Sequence, residues 1–330
     1  MAEIGHVSNQ RALLVDIDST IPNLALMHIS SKIKSEGGTA SFRENKPTHA
    51  YVSCIFPRNR NKAFSASWML KSMYPKIEVD VGGTGVSFVD NILDPDAPIM
   101  PDYSLYPKND MSLGFSSRGC DRRCYLEGIN CIVPLKEGKY RRTAHPKYWH
   151  NPEFKKIMLF DNNVLIDKPW FFEITDWMIQ ENLKVDFNQG LDIRLIDKDV
   201  AARLAELRPI GSWHFAFDSM SYEKSVEKGI EMLKNAGIRP KNTMWYLYMG
   251  THTTESDAVA RCQILRKHSV VPFPMIDGDI KLADRPRWMT KVKGWCRPEI
   301  FFSCEYDECT RGKPKWSSPA FVHPLGGGVV

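Results

Sequence analysis

Short apolar runs alternate with helical segments along most of the chain, and this alternation constrains the fold more than any other feature. In the first third, residues 12–15, 50–56 and 77–81 form three apolar runs, and helical spacing of apolar residues lies between them at 26–33 and 61–73. An order of strand, helix, strand, helix, strand indicates a parallel sheet covered by helices. We therefore predict a Rossmann-like parallel sheet here.

The alternation continues through the rest of the chain. Six more apolar runs lie at 112–115, 157–160, 184–187, 213–217, 244–248 and 270–275. Polar residues such as Asp161, Asn188 and Asp218 follow several of these runs directly. Repeated strand–helix units with polar residues at the strand ends are typical of TIM-type barrels, whose sites lie at that end. We predict a partial (β/α)6 barrel, and an α/β protein as a whole.

Proline marks the boundary between the two parts. Residues 92–109 hold four prolines, which is typical of a linker. The sequence thus predicts a Rossmann-like domain with its linker over 1–110, a barrel over 111–282, and a C-terminal extension over 283–330.

Composition excludes several classes of protein. Hydrophobic residues make up 43% and charged residues 25% of the 330 residues, so a disordered chain or a coiled coil is not expected. No run approaches the roughly 18 apolar residues that a membrane helix needs. The first twenty residues lack the features of a secretory signal. We expect a cytoplasmic protein with no membrane partner.

The net charge of +5 identifies no partner by itself. The densest basic segment is 139–142, with Lys147 nearby. A solvated surface loop is the simpler interpretation, and contact with nucleic acid phosphates is the alternative.

The spacing of three cysteines is the feature of the sequence that most clearly indicates a chemical function. Cys120, Cys124 and Cys131 follow the pattern C-x3-C-x6-C directly after an apolar run. In a reducing compartment, clustered cysteines indicate a metal site or catalysis rather than disulfides. Three thiolates on one loop suit three irons of a [4Fe-4S] cluster and leave the fourth iron open. Zinc with a distant fourth ligand and three unrelated thiols are the alternatives.

A second group of cysteines lies near the end of the chain. Cys296, Cys304 and Cys309 are separated by seven and four residues, which matches no ligand pattern. Incidental buried thiols are the simpler interpretation, and an auxiliary cluster or zinc is the alternative.

The cysteine loop resembles that of radical S-adenosylmethionine (SAM) enzymes. The segments "RGC…C…CIVP", "LFDNN" and "FNQGLDIRL" carry the resemblance, which covers roughly 111–276. The N-terminal part is similar to the Rossmann-like domain of cobalamin-type radical SAM proteins. The family places two residues between its second and third cysteines, whereas this chain places six, Tyr125 to Asn130. Gly128 makes a four-residue insertion compatible with closure on a cluster.

The resemblance implies that a [4Fe-4S] cluster on Cys120, Cys124 and Cys131 cleaves SAM reductively to a 5′-deoxyadenosyl radical. It implies an electron donor such as a flavodoxin or ferredoxin, and a substrate that the sequence does not identify. By position, six residues are expected near SAM: Asp161, Asn162 and Asn163 at its ammonium, and Asn188, Gln189 and Asp192 near its ribose or the substrate. The catalytic residues acting on the substrate are not identified.

Two other functions remain open. The first is a cobalamin-dependent radical SAM methyltransferase. However, residues 16–20 after the first strand contain no His for a lower ligand, so the sequence gives cobalamin no support. A phosphate or cofactor cradle at 82–85 is the weaker interpretation of a glycine-rich turn. The second function is a non-enzymatic nucleic-acid-binding protein stabilised by zinc or an iron–sulfur cluster.

Overall fold

The structure is a computed structural model that describes residues 10–87, 99–131, 133–278 and 280–309. The chain divides into two compact units. Unit 1 comprises the described residues of Met1–Ser116 and Arg142–Met158, and unit 2 comprises those of Ser117–Arg141 and Leu159–Val330. The division into three regions that the sequence predicts stays a prediction. Residues 92–98 of the predicted linker and 310–330 of the predicted extension lie outside the described residues.

The protein is α/β with parallel sheets, as the alternation predicts. The strands are β1 (Arg11–Asp16), β2 (Thr39–Ser41), β3 (His49–Ser53), β4 (Glu78–Gly82), β5 (Ser112–Gly114), β6 (Ser117–Arg118), β7 (Arg141–Arg142), β8 (Lys156–Leu159), β9 (Lys184–Phe187), β10 (Arg208–Pro209), β11 (Trp213–Ala216), β12 (Thr243–Met249) and β13 (Pro272–Ile276). The helices are α1 (Leu24–Ser35), α2 (Arg60–Met73), α3 (Val133–Glu137), α4 (Lys168–Gln180), α5 (Lys198–Glu206), α6 (Glu223–Asn235), α7 (Glu255–Lys267), α8 (Arg287–Trp295) and α9 (Pro298–Phe301).

Unit 1 contains a four-stranded parallel sheet of order β2-β1-β3-β4. Helix α1 begins after Asn23, whose side-chain oxygen accepts the N–H of Leu26. Leu26, Ile29 and Ile33 of α1 then pack with Leu14 of β1, because their spacing places them on one helix face. Strand β3 ends at Ser53, three residues before the predicted end of its apolar run.

The glycine-rich turn after β4 is packed tightly against β3. Gly83 has φ +97°, and a Cβ there would stand 2.4 Å from the carbonyl oxygen of Cys54. Gly85 donates its N–H to the same oxygen, and its own Cβ would stand 2.8 Å from the backbone of Phe56. Close backbone approach therefore explains these glycines, in agreement with the interpretation as a tight turn.

Unit 1 also contains β5, which neighbours β8 in one sheet. Unit 2 carries a succession of parallel strands. Pairings join β9 to β10, β11 to β12, and β12 to β13. An isolated parallel bridge between Leu191 and Phe215 connects the loop after β9 to β11. Helices α4 to α7 follow β8, β9, β11 and β12 in turn. The carboxyl ends of parallel strands lie at one edge, so the segments after these strands are brought together there.

The strands of unit 2 have two different faces. Val185, Phe215 and Trp245 are fully buried. Asp186, His214 and Tyr246 alternate with them and therefore lie on the opposite face, because successive side chains of a strand point to opposite sides. This second face is more polar, and it ends at the segments that carry the candidate site.

Helices α8 and α9 enclose the last core of unit 2, which includes Trp295 and Phe301. None of the helices in the described ranges combines the length and the apolar character that crossing a lipid bilayer requires.

Candidate functional site

The three clustered cysteines lie in unit 2 on the segment between β6 and α3. Cys120 is buried, and Cys124 and Cys131 are half-buried. The start of this segment is held against the residues that directly follow α3, since the N–H of Cys120 donates to the Gly138 carbonyl at 3.2 Å. Gly119 makes that approach feasible: its φ is +74°, and a Cβ there would stand 2.2 Å from the carbonyl oxygen of Lys139. Only glycine fits this position.

The six residues between Cys124 and Cys131 form an ordered turn. A 3-10 helix covers Cys124–Glu127 and ends at Gly128, which has φ +76°. The N–H of Asn130 donates to the Tyr248 hydroxyl at 3.1 Å, and the Asn130 amide contacts Asp277 at 3.4 Å. Tyr248 is the last residue but one of β12, and Asp277 directly follows β13. The insertion is thus anchored at the carboxyl ends of two strands.

A further contact extends this anchoring to β11. Ser221, which follows β11, donates its hydroxyl to the Glu127 carboxylate at 3.3 Å. Gly128 lies against His252, because a Cβ at Gly128 would stand 3.0 Å from that ring. The insertion therefore lies along the ends of the three consecutive strands β11, β12 and β13.

The three thiols influence one another electrostatically. Burial is the largest cause that raises each pKa above its ordinary value. In addition, the charge of Cys131 raises the pKa of Cys120, that of Cys120 raises the pKa of Cys124, and that of Cys124 raises the pKa of Cys131. Coulomb interactions weaken with distance, so the three sulfurs share one neighbourhood. A cationic metal centre would relieve this mutual repulsion.

Polar groups lie close to two of the sulfurs. The N–H of Arg122 donates to Cys120 Sγ at 3.4 Å, and the Asn163 amide lies 4.0 Å from the same sulfur. Burial raises the pKa of Cys124, and the nearby positive charge of Arg194 partly offsets this rise. Hydrogen bonds to ligand sulfurs are a known means of tuning iron–sulfur clusters.

The three cysteine thiols suit a thiolate site by their chemistry. They are not placed, however, to bind one metal ion together. Over the four described ranges, no group of three or more His, Cys, Asp and Glu side chains is arranged to hold one metal ion. A cluster differs from a single ion because each cysteine ligates a different iron. The three sulfurs therefore need not converge on one point.

The segment after β8 brings Asp161, Asn162 and Asn163 to the cysteine loop. Asp161 accepts the hydroxyl hydrogen of Ser117, which lies in β6. Asn162 donates to Glu137 at 2.7 Å, and Asn163 reaches Cys120. The side-chain oxygen of Asn163 is buried and accepts no hydrogen bond in the described structure. The helix that follows is capped by Asp167 instead, so these three residues are not needed as caps.

Glu137 organises the start of the loop, although no pattern in the sequence indicates this role. Its carboxylate pairs with Arg118 at 3.1 Å and accepts the N–H of Gly119 at 3.1 Å and the amide of Asn162. A glutamate on a five-residue helix has no distinguishing spacing. Only the approach of its partners in space identifies its role.

Asp192 forms the main charge network beside the cysteines. Its carboxylate binds Arg194 at 2.7 and 3.0 Å, Arg122 at 2.9 Å and the Asn163 amide at 3.2 Å. Burial alone would raise the pKa of Asp192, but the two guanidinium groups outweigh it and lower the pKa. Arg194 also stacks on Tyr222, with 4.1 Å from its carbon to the ring centroid. The expected contact of Asp192 with a ribose or substrate stays a prediction.

Asn188 and Gln189 lie at the end of β9. Their side chains are 3.3 Å apart, and the backbone carbonyl of Asn188 faces the Tyr246 hydroxyl at 3.5 Å. Neither contacts a cysteine by any hydrogen bond within the described residues, and their expected contact with SAM stays a prediction. Asp218, after β11, accepts the N–H of Tyr248 at 3.0 Å, which agrees with the role of a strand-end cap.

Asp186 and His214 form a buried pair on the polar face of these strands. The Asp186 carboxylate and His214 Nδ1 are 3.5 Å apart. Burial raises the pKa of Asp186, and His214 and Asn188 counteract part of this rise. Asp186 was not singled out from the sequence, because a single acid in an apolar run carries no spacing signal.

The basic segment proposed as an alternative contact for nucleic acid is partly engaged within the fold. Arg141 donates to the Glu137 carbonyl at 2.9 Å, and the N–H of Tyr140 donates to Asp121. These contacts tie the segment to the cysteine loop.

A search against protein-family models and against curated protein sequences found no match to this chain.

Proposed function

We propose that this protein is a radical SAM-type enzyme that uses Cys120, Cys124 and Cys131 to hold a [4Fe-4S] cluster. The observation that carries the proposal is that three buried or half-buried thiols lie on one loop, which hydrogen bonds anchor at the carboxyl ends of parallel strands. Soft thiolates with no fourth ligand in the loop suit a cluster that keeps one iron open. The substrate is not assigned.

The proposal includes a finer account of the fold. The sheet β2-β1-β3-β4 with α1 and α2 would be a Rossmann-like domain, and the strands from β5 onward would form a partial barrel of strand–helix units. The parallel pairings of β11, β12 and β13 and the bridge from Leu191 to Phe215 support this order. The location of the cysteine loop at the strand ends agrees with where such folds carry their sites.

Several residues have defined tasks in this proposal. The N–H of Arg122 and the Asn163 amide would stabilise negative charge on Cys120 Sγ. The buried, unpaired oxygen of Asn163 offers an acceptor for an ammonium group, such as that of SAM. Asp161, held by Ser117, adds a carboxylate beside it. When bound, the cluster would supply the electron that cleaves SAM into methionine and a 5′-deoxyadenosyl radical.

The arginines near the loop have a second task. Asp192 fixes Arg122 and Arg194 in place, so their positive charge stays near Cys120 and Cys124. This charge would partly offset the negative charge of three thiolates and bound sulfide. Meanwhile the anchored insertion covers the strand ends and would limit the access of water to the site.

Anaerobic purification and reconstitution test the proposal directly. We expect about four irons and four acid-labile sulfides per chain at this site. Under a strong reductant, SAM should yield methionine and 5′-deoxyadenosine. Cys120→Ala, Cys124→Ala and Cys131→Ala should each abolish both properties. Cys54→Ala is the matched control, since Cys54 is a buried thiol of unit 1.

The alternatives predict different results. A colourless protein that binds zinc and nucleic acid, with no cleavage of SAM, would favour the non-enzymatic function. Cobalamin retained in stoichiometric amount after gel filtration would favour the methyltransferase. We expect no retained cobalamin, because Gly83 and Gly85 pack closely against backbone atoms of Cys54 and Phe56 and do not form a ligand cradle.

A further inference from the structure

The strands of unit 2 leave one of their two faces partly open. In the middle of β11, β12 and β13, buried side chains alternate with side chains that are partly or largely exposed. The second set, here called the open face, includes Tyr246, Phe273 and Met275, and the last two are 48% and 45% exposed. Parallel sheets are usually covered on both faces. Large apolar side chains on an uncovered face indicate a surface that binds a further molecule.

Aromatic rings form a row across the open face. Tyr246 pairs with Phe273 in the neighbouring strand, and their ring centroids are 6.0 Å apart at an interplanar angle of 75°. On the other side of Tyr246, the centroid of the His214 ring lies 5.5 Å away at 47°. Aromatic rings prefer offset or edge contacts at about 4.5–7 Å, and rings tilted in this way leave part of their faces for a further ring. The row therefore suits a planar aromatic ligand.

A buried polar pair lies at the β11 end of this row. Only 8% of the Asp186 side chain is exposed, and its Oδ1 lies 3.5 Å from His214 Nδ1. Among the described residues, neither of these two buried atoms has a hydrogen-bond partner. An approach of about 0.3 Å would bring them within hydrogen-bond distance. Such contacts at functional sites are often long without a ligand and shorten when it binds.

This contact decides what the other ring nitrogen of His214 can do. A neutral imidazole donates from one nitrogen and accepts at the other. A proton on Nδ1, facing Asp186, leaves Nε2 as the acceptor. In the described part of the chain, only Nδ1 of this ring is both buried and without a partner, whereas no hydrogen bond occupies Nε2. Nε2 is therefore the nitrogen that a molecule on the open face can reach.

We propose that the open face binds the substrate through a planar aromatic ring that carries a hydroxyl or amino group. The ring would lie on Tyr246 and Phe273, and its hydroxyl or amino group would donate a hydrogen bond to His214 Nε2. Asp186 is a positioning residue, because it acts through His214. The inference rests on the proposed function where it calls this ligand the substrate, whereas binding of the ring does not depend on a cluster.

The polar pair narrows the chemistry of the ligand. The negative charge of Asp186 would repel an anionic group placed beside His214. A ligand without a donor would exclude water from Nε2 and leave this acceptor without a hydrogen bond, which weakens binding. An uncharged hydroxyl or amino group meets both conditions.

Phenol and anisole are matched probes of this site, because anisole carries a methyl ether in place of the hydroxyl and cannot donate a hydrogen bond. In titrations of the full chain at pH 8 followed by NMR, we expect phenol to bind at least about fivefold more tightly than anisole. Phenol should also shift the Nε2 resonance of His214, which locates the bound ring.

Four variants separate the parts of the site. His214→Phe keeps an aromatic ring without an acceptor, so it should abolish the preference for phenol and leave the affinity for anisole unchanged. Phe273→Ala should weaken both probes. Asp186→Leu should lower the preference at least about twofold and move the His214 proton from Nδ1 to Nε2, which nitrogen resonances report. His49→Ala is the control, since His49 belongs to unit 1.

Several results would overturn the proposal. They are equal affinities for phenol and anisole, a preference that His214→Phe retains, and a phenol complex that leaves the His214 resonances unshifted. Binding of either probe only after removal of residues 310–330 would show instead that the end of the chain covers the open face. The titration of the unaltered chain decides the matter even if the variants do not fold. Because no measurement uses the cluster or SAM, failure here leaves the proposed cluster and SAM cleavage untouched.

Discussion

The charge network at Asp192 allows a quantitative test of how the candidate site is held together. Asn in place of Asp192 keeps the size of the side chain and one acceptor oxygen, but removes the charge that two guanidinium groups share. Only 7% of the Asp192 side chain is exposed, against 21% for Arg194 and 34% for Arg122. Breaking a buried ion pair costs about 3–5 kcal/mol. Solvent screening of Arg122 and the remaining acceptor lower the expected loss to about 2–4 kcal/mol.

Asp197→Asn is the matched control. Asp197 also pairs with a cation, Lys168, but both side chains are more than a third exposed. Its side chain caps α5 through the N–H of Val200, and Asn caps a helix equally well. Asp197→Asn should therefore cost at most about 1 kcal/mol. Urea unfolding read by hydrogen exchange on peptides of unit 2 measures both variants in the same unit.

The dependence on pH supplies a further check. Because the pKa of Asp192 is lowered in the folded protein, its stabilisation is fully present above the unfolded pKa of about 3.9. It is lost as the pH falls through the folded pKa. The difference between wild type and Asp192→Asn should thus be constant from about pH 5.5 to 7.5 and shrink below about pH 4. Equal losses in Asp192→Asn and Asp197→Asn, or a difference that varies near neutral pH, would show that the buried ion pairs of Asp192 do not stabilise the folded protein.

Three further changes test neighbouring parts of the site. Gly119→Ala should lower the free energy of unfolding by about 3 kcal/mol or more, because the added Cβ overlaps backbone atoms and φ is positive. Gly138→Ala, at φ +74° but with open space around the Cβ, should lower it by about 1–2 kcal/mol. Thermal melting compares the two variants. Asp161→Ala should weaken SAM binding about tenfold or more with iron content unchanged, and equal affinity by calorimetry would remove this assignment. Asp186→Asn should leave stability at pH 7 unchanged or raise it. The pKa of Asp186 is raised in the folded protein, so the stability of the wild type falls as the pH rises through that pKa. A lower melting temperature of the variant at pH 7 would show that the charged pair with His214 is favourable.

The sequence predicts the regular elements well where periodicity is long enough to read. Strand β9 has the predicted bounds, and the bounds of β8 and β11 differ from the predicted ones by at most one residue. The two-residue strands β6, β7 and β10 were not predicted, because two residues carry no alternation. Strand β3 stops at Ser53 since the next residues turn toward Asp18, which accepts the N–H groups of Ile55 and Phe56.

Within the site, the sequence identifies residues but not their partners. The spacing of Cys120, Cys124 and Cys131 singled them out. By contrast, nothing in the sequence indicates that Asp192 binds Arg122, which lies seventy residues earlier. The anchoring of Asn130 by Tyr248 likewise spans more than a hundred residues. Contacts between distant segments depend on how the strands are ordered in the sheet, and apolar periodicity does not specify that order.

Paramagnetic resonance of the reduced, anaerobically prepared protein tests whether Cys120, Cys124 and Cys131 hold a cluster with one iron open to SAM. We expect an iron–sulfur signal that changes when SAM is added, because SAM would become a ligand of the open iron. We also expect Cys120→Ala to remove this signal and Cys54→Ala to retain it. A protein without an iron–sulfur signal, or with a signal that SAM leaves unaltered, would show that these cysteines hold no such cluster.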